Sequence, residues 1–264
     1  MYHLFLTMPL WAILLLLLIF LPLCIWMGYK IADLCERFGA GFSITEAIPT
    51  SILGVHALLV GFTFSMAISR YEARKELVVK EANALGTAYL RTKTLPTPYD
   101  RSSQALLLSY LERNVQFGAM TYSHEDLRET LLDLNRHQER LWKVAQEMTT
   151  KFRGPIEALY LSALNEAFDI RNERLRALQN KLPPSVLIIL LITLSISILS
   201  LGFAERVSQR KAGLWVFLLS VVFAIAITLI IDLDRPRLGL IRISQAPMNE
   251  LYESLRLEGE SQTK

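Results

Sequence analysis

The sequence predicts an all-α membrane protein, with four transmembrane helices joined to a cytosolic helical bundle. Three observations predict it. Charged residues are absent from four windows, 1–29, 47–69, 182–204 and 212–231, and about 20 apolar residues suffice to cross a hydrocarbon core. Between the second and third windows, apolar residues recur at helical spacing without strand alternation. Glycine (12) and proline (10) are too scarce in 264 residues for a turn-rich β chain. The charge balance, 28 Lys+Arg against 25 Asp+Glu, is too even for a nucleic-acid footprint. Two cysteines, Cys24 and Cys35, make no disulfide framework and read as packing residues.

The first window predicts a helix over 8–29. It lacks a basic n-region, and its apolar run outlasts that of a signal peptide, so it reads as a retained anchor. The second predicts a helix over 47–69 that does not stop at the membrane. Nothing between Ser69 and Arg91 breaks it, Gly86 only weakens it, and Leu95-Pro96-Thr97-Pro98 ends it. One rod is therefore expected from about Ala47 to Leu95. Pro183-Pro184 opens the third span, 185–204, and the fourth covers 213–231.

Four spans put both termini and the long middle segment on one side. That side carries Arg70, Arg74, Lys75, Lys80, Arg171, Arg174, Arg176, Lys181, Arg235, Arg237 and Arg242 near the membrane; the other carries Lys30, Arg37, Arg206, Arg210 and Lys211. Positive charge marks the cytoplasm, so a multi-pass protein of the plasma membrane is expected, with both termini and residues 70–184 cytoplasmic. Its regions are then 1–69 (spans one and two), 70–184 (a cytosolic helical region continuous with span two), 185–231 (spans three and four) and 232–264 (a cytosolic C-terminal tail).

Within the cytosolic region three apolar faces are legible. They are Leu106, Leu107, Tyr110, Leu111 and Phe117; Leu127, Leu131, Leu134, Leu141, Val144 and Met148; and Ile156, Leu159, Tyr160, Ala163, Leu164, Ala167 and Phe168. Ser123 with Asp126 reads as a helix start, and Gly154-Pro155 as a stop followed by a start. Phosphate-loop, nucleophile-elbow, zinc-protease and Cys-x-x-Cys motifs are absent. His124 and His137 stand alone on charged helices and read as solvated. No enzyme, cofactor or metal site is expected.

The second span carries the functional signal. At about 100° per residue from Phe62, the residues Ile48, Ser51, Val55, Leu58, Met66 and Ser69 share its face, with Ser65 at the margin. The stripe is polar at both ends and apolar in the middle. Beside it run Thr50, Gly54, Ala57 and Gly61, small residues that let helices crowd together in lipid. An apolar constriction of this kind can gate a pore by dewetting, while ordinary packing against another span is the competing use. Continued into the cytosol, the stripe meets Glu76, Lys80, Thr87 and Arg91. Charges of both signs leave selectivity open. His56 lies about 120° away, placed to bond a serine of the third span (Ser195, Ser197 or Ser200). Asp232 and Asp234 sit at a helix C-terminus, where the dipole disfavours them. Ion pairs with Arg70, Arg74 or Arg235 are the expected remedy.

Gly61-Phe62, followed eight residues on by Arg70-Tyr71-Glu72-Ala73-Arg74-Lys75, resembles the end of the second membrane helix in bestrophins. Residues 81–91 (Glu-Ala-Asn-Ala-Leu-Gly-Thr-Ala-Tyr-Leu-Arg), 232–239 and Ser244-Gln245-Ala246-Pro247 resemble the bacterial bestrophin-like membrane proteins over most of the chain. The resemblance implies a bacterial inner-membrane protein and a homo-oligomeric, pentameric ion channel among membrane lipids. Small inorganic ions would pass an axial pore whose neck side chains come from the second span at four-residue steps. Stepping back from Phe62 reaches Leu58, then Gly54 or Val55. The acidic cluster of calcium-gated relatives is reduced here to Asp232 and Asp234, answered by Arg235 and Arg237, so no metal gate is carried over. The alternative reading is a membrane-anchored scaffold or sensor whose cytosolic helical module binds a partner protein. Oligomeric symmetry separates the two.

Overall fold

The computed structural model describes residues 8–38, 47–119, 124–209, 213–235 and 239–262, and among them every regular element is a helix. The helices are α1 (Leu10–Arg37), α2 (Ala47–Thr92), α3 (Tyr99–Ala119), α4 (His124–Lys151), α5 (Pro155–Gln179), α6 (Pro184–Val207), α7 (Gly213–Leu233) and α8 (Ala246–Gln262). Four stretches are long and apolar enough to cross a membrane; they contain α1, α2, α6 and α7. Helices α1 and α6 run past the expected spans into charged residues, because the helix itself outlasts its apolar stretch. The start expected at Ser123 lies outside the described residues, as do the side chains of His124, Asp126 and Leu127.

The chain divides into two compact units, Met1–Tyr71 with Lys181–Ile241, and Glu72–Asn180 with Arg242–Lys264. Helix α2 gives its first part to one and its second part to the other. In the membrane unit, α1 packs on α6 and α7. Ile13, Leu17, Leu21 and Cys24 of α1 meet Leu194 and Ile198 of α6 and Phe223 and Ile227 of α7. The tightest approach is at two glycines. A Cβ on Gly202 would lie 2.6 Å from the Ile25 carbonyl oxygen, and one on Gly28 would strike the backbone of Leu199 and Phe203. The small-residue crossing within the chain is thus Gly28 against Gly202. It is not the Gly54–Gly61 stripe.

The second unit is a helical bundle around Leu85, Tyr110, Leu111, Leu134, Leu141, Met148, Tyr160 and Leu164. Ends fall at the expected breakers. Helix α2 closes at Thr92, where the Lys93, Thr94 and Leu95 amides fold back onto Leu90, Arg91 and Thr92. Pro155 opens α5 and Pro184 opens α6. Three expectations need correction. Ile156 and Leu159 are exposed, because the buried face of α5 runs through Tyr160, Ala163, Leu164 and Ala167. His137 is buried, with Nδ1 bonded to the Asp133 carbonyl and Nε2 to Ser109 Oγ. The C-terminal segment is more than a tail. Helix α8 docks on α3 through Met248 and Leu255, on an i, i+7 spacing that was present in the sequence.

Candidate pore helix and the motif residues around it

The membrane part of α2 has one covered face and one bare face. His56, Thr63 and Ala67 are buried. His56 Nδ1 lies 3.0 Å from Thr193 Oγ1, and its ring meets Phe223 edge-on at 4.9 Å. Thr193 sends its own hydroxyl hydrogen to the carbonyls of Ile189 or Leu190, so His56 is the donor. The partner is on the expected span, but it is Thr193 rather than a serine. Ser195, Ser197 and Ser200 turn back onto carbonyls of their own helix.

The bare face holds every residue of the expected stripe. Val55, Leu58 and Phe62 are 59%, 58% and 63% exposed, and Ser51, Ser65, Met66 and Ser69 are exposed with them. A Cβ added at Gly54 or Gly61 would meet nothing within 4 Å. The exposed faces of the other spans differ in kind. Helix α1 shows Trp11, Leu15, Ile19 and Leu23, helix α6 shows Ile188, Ile189, Ile192 and Ile196, and helix α7 shows Trp215, Val222 and Ile225. Those are large apolar side chains suited to lipid tails. Helix α2 leaves two glycines and three serines uncovered along one face, Gly54 and Gly61 with Ser51, Ser65 and Ser69.

In the second unit, α2 continues with Glu76 and Lys80 exposed and paired with each other at 2.8 Å. That contact raises the Lys80 ammonium pKa, first through the hydrogen bond and then through the charge. Thr87 is exposed and bonded to the Asn83 carbonyl at 3.0 Å. Arg91 donates to the Leu159 carbonyl of α5, which ties it to the bundle.

The motif side chains serve as anchors for backbone. Arg74 is buried and gives Nε to the Ala177 carbonyl at 3.0 Å and Nη2 to that of Asn180 at 2.7 Å. It thereby caps the negative end of α5. Asp234 accepts the Leu182 amide at 2.9 and 3.0 Å on its two oxygens. Asp232 accepts the amides of Leu240 at 2.9 Å and Ile241 at 3.1 Å. A Cβ on Gly239 would overlap that carboxylate, so a larger residue there would have to displace it. Two aspartates unfavourable to the α7 dipole are thus held by amides of the following and preceding segments. The expectation of ion pairs overlooked this use. Arg235 donates Nη1 to the Met8 carbonyl at 2.6 Å. Burial pulls its pKa down, and the charges of Asp232 and Asp234 counter this. Arg70 is half-buried, and Glu72 is exposed.

Sequence reasoning missed Arg174. It is buried on α5, with Nη1 2.5 Å from Glu81 Oε2 and Nη2 2.6 Å from Gln245 Oε1. Glu81 opens the 81–91 motif and Gln245 belongs to Ser-Gln-Ala-Pro, so Arg174 is where two motifs meet. Gly118 makes room, since its Cβ would lie 2.8 Å from Gln245. Nearby, Arg171 holds Asn135 and Gln138, and Gln138 reaches the Tyr110 hydroxyl at 3.0 Å. Burial pushes that hydroxyl well above the ordinary tyrosine pKa, and the Glu81 charge adds to it. Among the described residues no group of three His, Cys, Asp or Glu could hold a metal ion.

No curated protein matches the sequence. Among solved structures, a bacterial bestrophin homologue from Klebsiella pneumoniae superposes with a TM-score of 0.67 at 19% identity, covering 89% of this chain and 95% of its own. A point variant of a Klebsiella pneumoniae homologue superposes with a TM-score of 0.69 at 17% identity, covering 92% and 97%. These likenesses establish the fold. The model of the Bestrophin-like domain matches residues 43–248, which take in α2 to α7 and every motif described above, and the protein belongs to the Bestrophin-like family.

Proposed function

We propose that the protein is a homo-oligomeric ion channel, whose copies gather around an axis with the bare face of α2 inward. One observation carries the reading. The uncovered face of α2 sets Ser51, Ser65 and Ser69 around the apolar band of Val55, Leu58 and Phe62, with Gly54 and Gly61 alongside. Hydroxyls and glycines on a lipid-facing surface gain nothing. In a ring they line water at both ends of a hydrophobic neck and let neighbouring helices approach. Membership of the Bestrophin-like family and the fold of a bestrophin homologue support the same arrangement, with five copies as the expected number. Small inorganic ions are the cargo. Glu76 and Lys80 neutralise each other on the cytosolic continuation, so neither sign of ion is favoured by that pair.

The test is ion flux through the purified protein in liposomes or a planar bilayer. Wild type should conduct. Phe62→Ala and Leu58→Ala widen the neck and should raise conductance, whereas wild-type current unchanged by either substitution would contradict the assignment.

A further inference from the structure

The first charges beyond the spans α1 and α6 meet in one cleft. The charge-free window of α1 ends at Tyr29, and Lys30 follows; that of α6 ends at Ala204, and Glu205 follows. Just past the Gly28–Gly202 crossing the two helices flank an open cleft of about 570 Å³ lined by Trp26, Tyr29, Lys30, Asp33, Glu205 and Arg206. Its depth in the bilayer follows from the sequence, because it begins where the apolar run stops, at the level of lipid headgroups. Exposed Trp26 and Trp215 mark the same level.

The lining is balanced in charge and ordered. Tyr29 donates to Glu205 Oε2 at 2.6 Å, and Arg206 Nε donates to Asp33 Oδ1 at 2.6 Å. These bonds fix one carboxylate and one guanidinium while leaving Glu205 Oε1 and the outer nitrogens of Arg206 available. The Lys30 ammonium stands 5.7 Å from the centre of the Trp26 ring. On the membrane side of the cleft, Leu23 and Met27 of α1 are exposed and continue the surface as an apolar track.

We infer that this cleft binds the headgroup of a zwitterionic amine phospholipid of the phosphatidylethanolamine class. The phosphate sits between Lys30 and Arg206, the ammonium meets Glu205 Oε1, and an acyl chain follows Leu23 and Met27. An anionic headgroup without an amine would find the same cations but leave Glu205 unanswered. A trimethylated amine has no hydrogen to donate to it. The apolar track selects a lipid over a soluble phosphoamine.

The experiment is native mass spectrometry of the full chain in detergent, with phosphatidylethanolamine, phosphatidylglycerol and phosphatidylcholine added in equal amounts. Wild type should retain phosphatidylethanolamine about tenfold over either of the others, the scale of one charge-assisted hydrogen bond. Lys30→Gln, at an exposed side chain that leaves the packing intact, and Glu205→Gln, which keeps an acceptor for Tyr29, should each abolish that preference. Equal retention of the three lipids, or a preference unchanged in both variants, would overturn the assignment. Displacement of the lipid by equimolar soluble phosphoethanolamine would also overturn it, since the site would then be one for the free headgroup.

Discussion

Asp234 shows how a single side chain governs the membrane unit. Its two oxygens hold the amide of Leu182, a residue 1% exposed, and Pro183 and Pro184, which follow, have no amide hydrogen of their own. Without the carboxylate, that buried N–H loses this acceptor. We expect Asp234→Ala to cost about 1–3 kcal/mol, read as a lowered midpoint of thermal unfolding in detergent. Asp234→Asn keeps an acceptor and should cost less. The importance of Asp232 and Asp234 was legible from their place at a helix end, where negative charge needs a reason. Their partners were not legible, because Leu182, Leu240 and Ile241 offer backbone amides, which have no signature in a sequence. Arg174 stayed hidden for a related reason. One arginine among three on a charged helix looks solvated until the fold sets Glu81 and Gln245 beside it.

At the scale of the helix, glycines do two different jobs, and the structure separates them. Gly202 and Gly28 let α1 and α6 touch backbone to backbone. A methyl on Gly202 would meet the Ile25 Cα and carbonyl carbon at 3.1 and 3.2 Å, atoms that cannot rotate away. Gly202→Ala should therefore destabilise the protomer by about 1–3 kcal/mol, the cost of overpacking, in the same unfolding measurement. Gly61 has open space in the single chain. Gly61→Leu should leave the unfolding midpoint of the protomer unchanged and shift the detergent-solubilised particle to a smaller mass in light scattering. A protein that keeps its mass would show that this face does not meet another copy. Spans and breakers were legible because charge-free windows and prolines act locally. The register of α5 was legible only in part. Ile156 and Leu159 continue the apolar pattern, and only the packing of the bundle decides that Tyr160 and Ala163 are the covered side.

At the scale of the molecule, what covers the bare face of α2 decides the function. Three spans expose large apolar side chains, and a bilayer suffices for them. The fourth exposes serines and glycines around the apolar band of Val55, Leu58 and Phe62, and a ring of copies accounts for all of them at once. The stripe was legible in the sequence because its members repeat along one helix. The exposure of that stripe was not, since periodicity reports a shared face without saying what the face meets. The most direct measurement is an electron cryo-microscopy image of the full-length particle. A symmetric ring with α2 innermost and the Leu58 and Phe62 side chains at its narrowest level is the predicted result. A monomer, a dimer, or a ring in which α2 faces the lipid perimeter would contradict it.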